Sequence, residues 1–322
     1  VSQQASTPSV DIIWVVDRSG SMTDEIDKIE TNINTSFVPI ITASSIDWRV
    51  LFFTKRGTAS LEVCVDEPLA GPGCADKPPT FVHLDCDVQS TNSLTLLRNA
   101  WLGAAPACPG QRWDNKVRYD STKVFVEVTD DAPSFFDVVA QSFDDWATGQ
   151  AQPAGIFGSK AARKYVFHGI IGMDPTNPAA ACTSTTNSAV APGLEYQKLA
   201  QWTGGTVRSI CEDDWSDIFT TIAEGIVNRL SCDYAVPPPP PGETIDPNKV
   251  NVQITPGGAT APVDVLQDNN FACDAGADGW QWNADKTRIL LCGQTCADAR
   301  ADTAAKLDIV LGCATKVVPP PE

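Results

Sequence analysis

The stretch "DIIWVVDRSGSM" (residues 11–22) decides the fold. Five consecutive apolar residues, Ile12 to Val16, run directly into an acidic, hydroxyl-rich turn. A short run of this kind, bounded by turn residues, reads as a buried strand. Asp17, Ser19 and Ser21 follow at its end, and Gly20 between the serines can supply unusual backbone angles that point both hydroxyls inward.

Outward from this stretch, apolar runs and helical patterns alternate. "WRVLFF", "KVFVEV" and "YVFHGIIGM" are further strands. Between the first two strands lies "TDEIDKIETNINTSFVPII", where Ile26, Ile29, Ile33, Phe37 and Ile40 recur at helical spacing behind an acidic first turn. "SLTLLRNAWLGAA" and "DWSDIFTTIAEGIVNRL" are two more helices. Strands alternating with helices predict an α/β fold, a mostly parallel sheet covered on both faces. A cysteine-bearing loop, residues 61–88, interrupts the alternation.

In such sheets ligands bind beyond the carboxyl ends of the strands, where Asp17, Ser19 and Ser21 lie. One carboxylate and two hydroxyls form a hard-oxygen set suited to Mg²⁺, and less specifically to Mn²⁺ or Ca²⁺. A second carboxylate, Asp130, follows the strand "KVFVEV" in "TDDAPSFF" and faces Asp17 if the two strands are neighbours. Asp, Ser and Gly are common at strand-ending turns, so D-x-S-x-S alone is weak. Its pairing with a later T-D is what points to a metal.

Together these motifs resemble a von Willebrand factor A-type domain. "VVDRSGSM" is similar to that family's first motif, "VEVTDDAP" to its last Asp motif, and "LAQWTGGTVRSI" to the turn before its final strand. The likeness covers about residues 8–230. It implies a doubly wound fold with a metal-ion-dependent adhesion site. In that site Ser19 and Ser21 ligate directly, Asp17 and Asp130 act largely through water, and a position stays open for a partner's carboxylate. The family's middle Thr is matched by Thr91 in "QSTNSLTLL", with Ser93 and Thr95 as rivals that can instead cap the helix. The family's usual glycine pair is absent there. Asp131 reads as a solvated neighbour of the site.

"AVPPPPPGETIDP" (235–247) marks a domain boundary, because five prolines favour a stiff rod of roughly 15 Å. Residues 1–231 form the first domain on this reading. Residues 232–322 form the linker and a small disulfide-stapled β-rich domain, with strands in "KVNVQI", "GWQWN", "TRILLC" and "KLDIVLG". A further proline segment, "VVPPPE", closes the sequence.

The 11 cysteines are Cys64, Cys74, Cys86, Cys108, Cys182, Cys211, Cys232, Cys273, Cys292, Cys296 and Cys313. Only His83 and His168 accompany them, in apolar strands, which favours disulfides over zinc. Cys64 pairs with Cys74, Cys86 with Cys108 and Cys182 with Cys211 on this reading. Cys232 is expected to pair beyond the linker, leaving the unpaired thiol among the last five. Disulfides imply an oxidising compartment: secreted, cell surface or periplasm. A start at Val1 instead of Met agrees with a removed export signal. The 64–74 loop and "GWQWN…LLCGQTC…GC" are similar to those of secreted bacterial A-type proteins, which implies a bacterial surface or periplasmic setting.

A formal net charge of -17 argues against nucleic acid, and no apolar run reaches the roughly 20 residues of a membrane helix. The function expected is metal-dependent adhesion to a protein partner through an acidic side chain of that partner. The bound cation makes this compatible with an acidic chain, because it is the dominant local charge. The alternative is a structural component of a larger surface assembly, its metal merely stiffening a loop. Enzymatic hydrolysis is not expected, since no His or Glu base adjoins the motif. Trp280 and Trp282 share one strand face and read as core, or as an exposed pair for a glycan or partner.

Overall fold

The computed structural model describes residues 2–4, 8–44, 46–134, 137–184, 188–230, 232–236, 244–270, 273, 277–283, 286–302 and 305–319. The five-proline run, read above as a stiff rod, and the last three residues lie outside these. The chain divides into two compact units. The larger comprises Ser9–Ser44 and Trp48–Val227; the smaller comprises Val1–Pro8, Ser45–Asp47 and Asn228–Glu322.

The chain opens with β1 (Ser2–Gln4), followed by β2 (Ser9–Val16), α1 (Thr23–Asn32), α2 (Val38–Ala43), β3 (Asp47–Thr54), β4 (Phe81–Asp85) and α3 (Ser93–Ala100). β5 (Thr122–Thr129), α4 (Ala140–Gly149), β6 (Tyr165–Ile171), the hairpin β7 (Met173–Asp174) and β8 (Asn177–Ala181), α5 (Leu194–Thr203), β9 (Val207–Ser209) and α6 (Trp215–Leu230) come next. Six strands form one sheet in the order β4-β3-β2-β5-β6-β9. β2 and β5, β5 and β6, β6 and β9, and β3 and β4 all pair in parallel. The fold is α/β with a parallel sheet at its centre.

Side-chain alternation explains why both faces are covered. Ile13 and Val15 of β2 join Phe125, Leu94, Leu97, Phe143, Trp146, Tyr196 and Leu199 in one core cluster, so α3, α4 and α5 cover that face. Trp14, between them, points the other way and stacks on Phe219 of α6 at 5.0 Å, with Phe37 edge-on at 5.3 Å. The single helix expected over residues 23–41 is broken by a π-helical turn, Ile33–Phe37. Pro39 near the start of α2 has no N–H to continue an unbroken ladder, and the wider turn accommodates it.

The smaller unit continues with β10 (Asp233–Ala235), β11 (Val250–Thr255), β12 (Val263–Val265), β13 (Trp280–Trp282), β14 (Arg288–Leu291), α7 (Gly293–Ala301) and β15 (Lys306–Leu311). They form two antiparallel sheets, ordered β1-β15-β11-β12 and β10-β14-β13. The amino-terminal strand therefore belongs to this unit: residues 2–4 complete its sheet by pairing with Asp308–Val310. Trp280 is fully buried, with the Trp282 ring 5.5 Å away, so this pair belongs to the core.

Five disulfides join Cys64 to Cys74, Cys86 to Cys108, Cys182 to Cys211, Cys232 to Cys296 and Cys273 to Cys292. Cys313 is free and exposed. His83 and His168 are both buried in strands of the large sheet. Burial pulls the His83 imidazole down to about 4.

At the amino end of β2, opposite the expected site, the Asp11 carboxylate is completely buried. It accepts hydrogen bonds from the Arg118 backbone N–H at 2.6 Å, from Arg118 Nε at 2.9 Å and from Ser121 Oγ at 2.5 Å. Arg118 also donates to the carbonyl of Val10 at 2.7 Å, fastening the 114–121 loop under the central strand. Removing one member of a buried pair strands the other, so Asp11→Ala should cost about 3–5 kcal/mol in urea unfolding. An unchanged midpoint would refute this. Maleimide labelling of the folded, non-reduced protein should modify Cys313 alone; label on any other cysteine would contradict the pairing.

Candidate functional site

β2 and β5 lie side by side with Val16 opposite Val128, so the residues just past each end are brought together. Asp17 extends the ladder, its N–H donating to the Val128 carbonyl at 3.0 Å. The chain then turns: Ser19 is extended, and Gly20–Met22 form one 3-10 turn leading into α1. Ser19 N–H donates to Asp17 Oδ1 at 2.7 Å, and Ser19 Oγ lies 3.2 Å from Ser21 Oγ. Ser21 Oγ donates to Asp130 Oδ1 at 3.1 Å. Asp17, Ser19, Ser21 and Asp130 thus form one connected cluster, with Asp17 and Asp130 both buried.

Gly20 is a correction to the sequence reading. Its backbone stays in a right-handed turn, and a Cβ there would meet nothing within 4 Å, so the turn does not require glycine. The glycine that the site does require is Gly172, just beyond β6. A Cβ on Gly172 would stand 2.1 Å from the Ala191 carbonyl and 3.0 Å from that of Asp130. Asp130 O accepts from Val190 N–H at 2.8 Å and from Ala191 N–H at 3.0 Å, which pins its backbone.

The loop carrying Thr91 is tied to the same turn through Arg18. Arg18 N–H donates to the Val88 carbonyl at 3.0 Å, its Nη1 pairs with Asp87 at 2.6 Å, and its Nε reaches Leu61 O at 2.9 Å. The Cys86–Cys108 disulfide anchors this loop from below. Thr91 is half-buried in the turn before α3, and among the described residues its hydroxyl makes no hydrogen bond. The rivals are committed elsewhere. Ser93 Oγ is 2.9 Å from Tyr196 Oη, and Thr95 Oγ1 accepts from Val138 N–H at 2.8 Å. Among the described residues, no hydrogen bond joins Thr91 to the four clustered residues. The Asp131 carboxylate caps its own turn, accepting from Ala132 N–H at 2.8 Å.

Two further residues belong to the site that sequence reasoning missed. Thr129 Oγ1 donates to Asp17 Oδ2 at 2.8 Å and accepts from Asp131 N–H at 3.1 Å, so it orients the first carboxylate. Its signal was the Thr that closes the strand directly before Asp130. Glu127 lies one step below on the same face and is fully buried, with the Ser93 hydroxyl the neighbour that eases its charge. Burial pushes its proton affinity well up, and the charge of Asp17 adds to this. A single acid inside "KVFVEV" was its signal.

The electrostatics of the cluster are those of an uncompensated anionic site. Burial raises the Asp17 pKa above its ordinary 3.8, and the Asp130 charge adds to it. Burial also raises Asp130, with Asp131 adding. Asp130 Oδ2 is buried without a hydrogen-bond partner. Among the described residues no three His, Cys, Asp or Glu side chains gather as a metal cluster. The donor set here is two carboxylates and two hydroxyls, from Asp17, Asp130, Ser19 and Ser21. An orphaned buried oxygen among hard-oxygen donors fits a small divalent cation.

No family model and no curated protein matches the chain. Among solved structures, the pilus adhesin SpaC of Lactobacillus rhamnosus GG, in its open conformation, aligns at 14% identity with a TM-score of 0.31. The alignment covers 95% of this chain and 39% of the adhesin, so this chain spans about two fifths of that protein's length. A superposition this loose carries no argument about fold or function.

Calorimetric titration should find one Mg²⁺ site per chain, weakened roughly 10- to 100-fold by Asp130→Asn. Because both carboxylates hold protons more tightly than usual, the cation must displace them as pH falls. Affinity should therefore drop as pH is lowered toward their raised pKa values, with proton release on binding. Binding that is unaffected by Asp130→Asn would place the ion elsewhere.

Proposed function

We propose that the larger unit is a von Willebrand factor A-type domain that binds a protein partner through a divalent cation. Ser19 and Ser21 hold the ion directly, Asp17 and Asp130 hold it largely through water, and Thr91 supplies the remaining hydroxyl. Mg²⁺ is the first choice, with Mn²⁺ and Ca²⁺ as the alternatives. The open coordination position takes a carboxylate from the partner. The observation that carries this reading is the run of contacts from Asp17 through Ser19 and Ser21 to Asp130, ending on an unpartnered buried oxygen.

On this reading the chain is a binding module and not an enzyme. Glu127, the extra acid on the strand that leads to Asp130, is fully buried away from solvent, which is a poor position for activating a water. The five disulfides support an oxidising setting, so on this reading the protein is secreted, surface-attached or periplasmic; the bacterial setting rests on the sequence resemblance alone. Among the described residues no helix is long and apolar enough to cross a membrane. The small disulfide-bonded unit then serves as the connection to a larger surface assembly.

Immobilised protein should retain a binding partner from bacterial surface material in Mg²⁺ and release it on chelation. Asp17→Ala should abolish that retention while its circular dichroism spectrum stays unchanged. Retention that survives both chelator and Asp17→Ala would favour a purely structural role.

A further inference from the structure

We propose that the loop closed by the Cys64–Cys74 disulfide guards the outer edge of β4, and that without it this edge pairs with a strand of a second copy of this chain. The inference is independent of the cation reading. β4 ends the six-stranded sheet, next to β3. The last strand of a sheet presents a row of backbone groups that can template another chain. "FVHLD" is also largely apolar, a sequence suited to such pairing.

The parallel ladder decides which groups of β4 face outward. The Thr80 carbonyl accepts from Val50 N–H at 2.8 Å, and Cys86 N–H donates to Thr54 O at 3.0 Å. Even-numbered residues therefore bond to β3, while Phe81 and His83 turn N–H and C=O to the outer edge. Each of those groups is taken. Phe81 and Lys77 exchange both backbone hydrogen bonds, each at 3.0 Å. His83 N–H donates to Asp76 Oδ1 at 3.0 Å, and His83 O accepts from Arg56 Nη2 at 2.6 Å. Arg56 Nη2 also pairs with Asp76 Oδ1 at 2.6 Å, so these last two partners hold each other.

The loop is fixed in place from several sides. Gly71 N–H donates to Ala75 O at 2.9 Å, a bridge immediately before Asp76. Lys77 Nζ reaches Pro68 O at 2.8 Å. Asn34, in the π-helical turn, donates to Asp66 O at 3.0 Å and accepts from Leu69 N–H at 3.1 Å. Cys74 takes a left-handed backbone, φ 62°, which a residue with a side chain holds only when its surroundings impose it. The bridge to Cys64 imposes it, just ahead of Asp76 and Lys77. Cutting the bridge removes that constraint from the segment that covers β4. The cysteine loop that interrupts the strand–helix alternation thus occupies the place where a further strand would add.

Amide hydrogen exchange and light scattering on the full chain test this. Cys64→Ser combined with Cys74→Ser should speed exchange at Phe81 and His83 roughly tenfold in dilute solution, about one hydrogen bond lost at each. Raising the concentration should produce dimers or larger species, with exchange at those two amides slowing again as a second strand covers them. Unchanged exchange, a variant that stays monomeric when concentrated, or association that leaves both amides unprotected would each overturn the proposal. Should the double variant fail to fold, Asp76→Ala keeps the disulfide and removes the acceptor of the His83 N–H. His83 should then exchange faster while Val126, in the middle of the sheet, stays protected. An unchanged His83 rate in Asp76→Ala would overturn the guard.

Discussion

Everything at the site follows from the parallel register of β2 and β5, with Val16 level with Val128. Parallel strands run out at the same edge of the sheet, so the first residues past each end must share one small space. Period-two alternation then sends Asp17 and Thr129 to the same face, where one orients the other. Asp130 comes next in the chain and completes the pair of carboxylates. A one-residue slip would turn both Glu127 and Thr129 to the opposite face and dissolve the arrangement.

β2 carries a buried carboxylate near each of its ends, and the two are treated oppositely. Asp11 is neutralised within the protein, by Arg118 and the donors of its loop. Asp17 has only uncharged donors, the Ser19 N–H and the Thr129 hydroxyl, and a second anion beside it. Desolvating two acids without a counter-charge is costly unless something outside the chain supplies it. One end of the strand is an internal bolt; the other is left with a deficit of positive charge.

Much of this could be read from the residues. The strand-to-turn transition at Val16 and Asp17, the later Asp130, and the alternation of strands with helices all lie in short local patterns that periodicity exposes. Gly20 misled because a glycine between two serines looks like a conformational need, and only the backbone shows that it is not. Gly172 stayed hidden because its role is a close approach by Ala191, nineteen residues further on, which no local pattern encodes. Glu127 was passed over as part of a strand, since its significance depends on what surrounds it in three dimensions. The π turn at Ile33–Phe37 is legible only in the light of Pro39.

The pairing of β1 with β15 has a consequence for how the chain is made. Ser2 lies opposite Val310, so the two strands are separated by 308 positions (310 − 2) of sequence. Synthesis at roughly 5–20 residues per second places their appearance about 15–60 s apart. Throughout that interval the first strand emerges without its mate, while the whole six-stranded sheet can form behind it. Its bare edge is then open to pairing with other nascent chains, a hazard that an export route or a holding factor would have to cover. The smaller unit is thus the first to be started and the last to be finished.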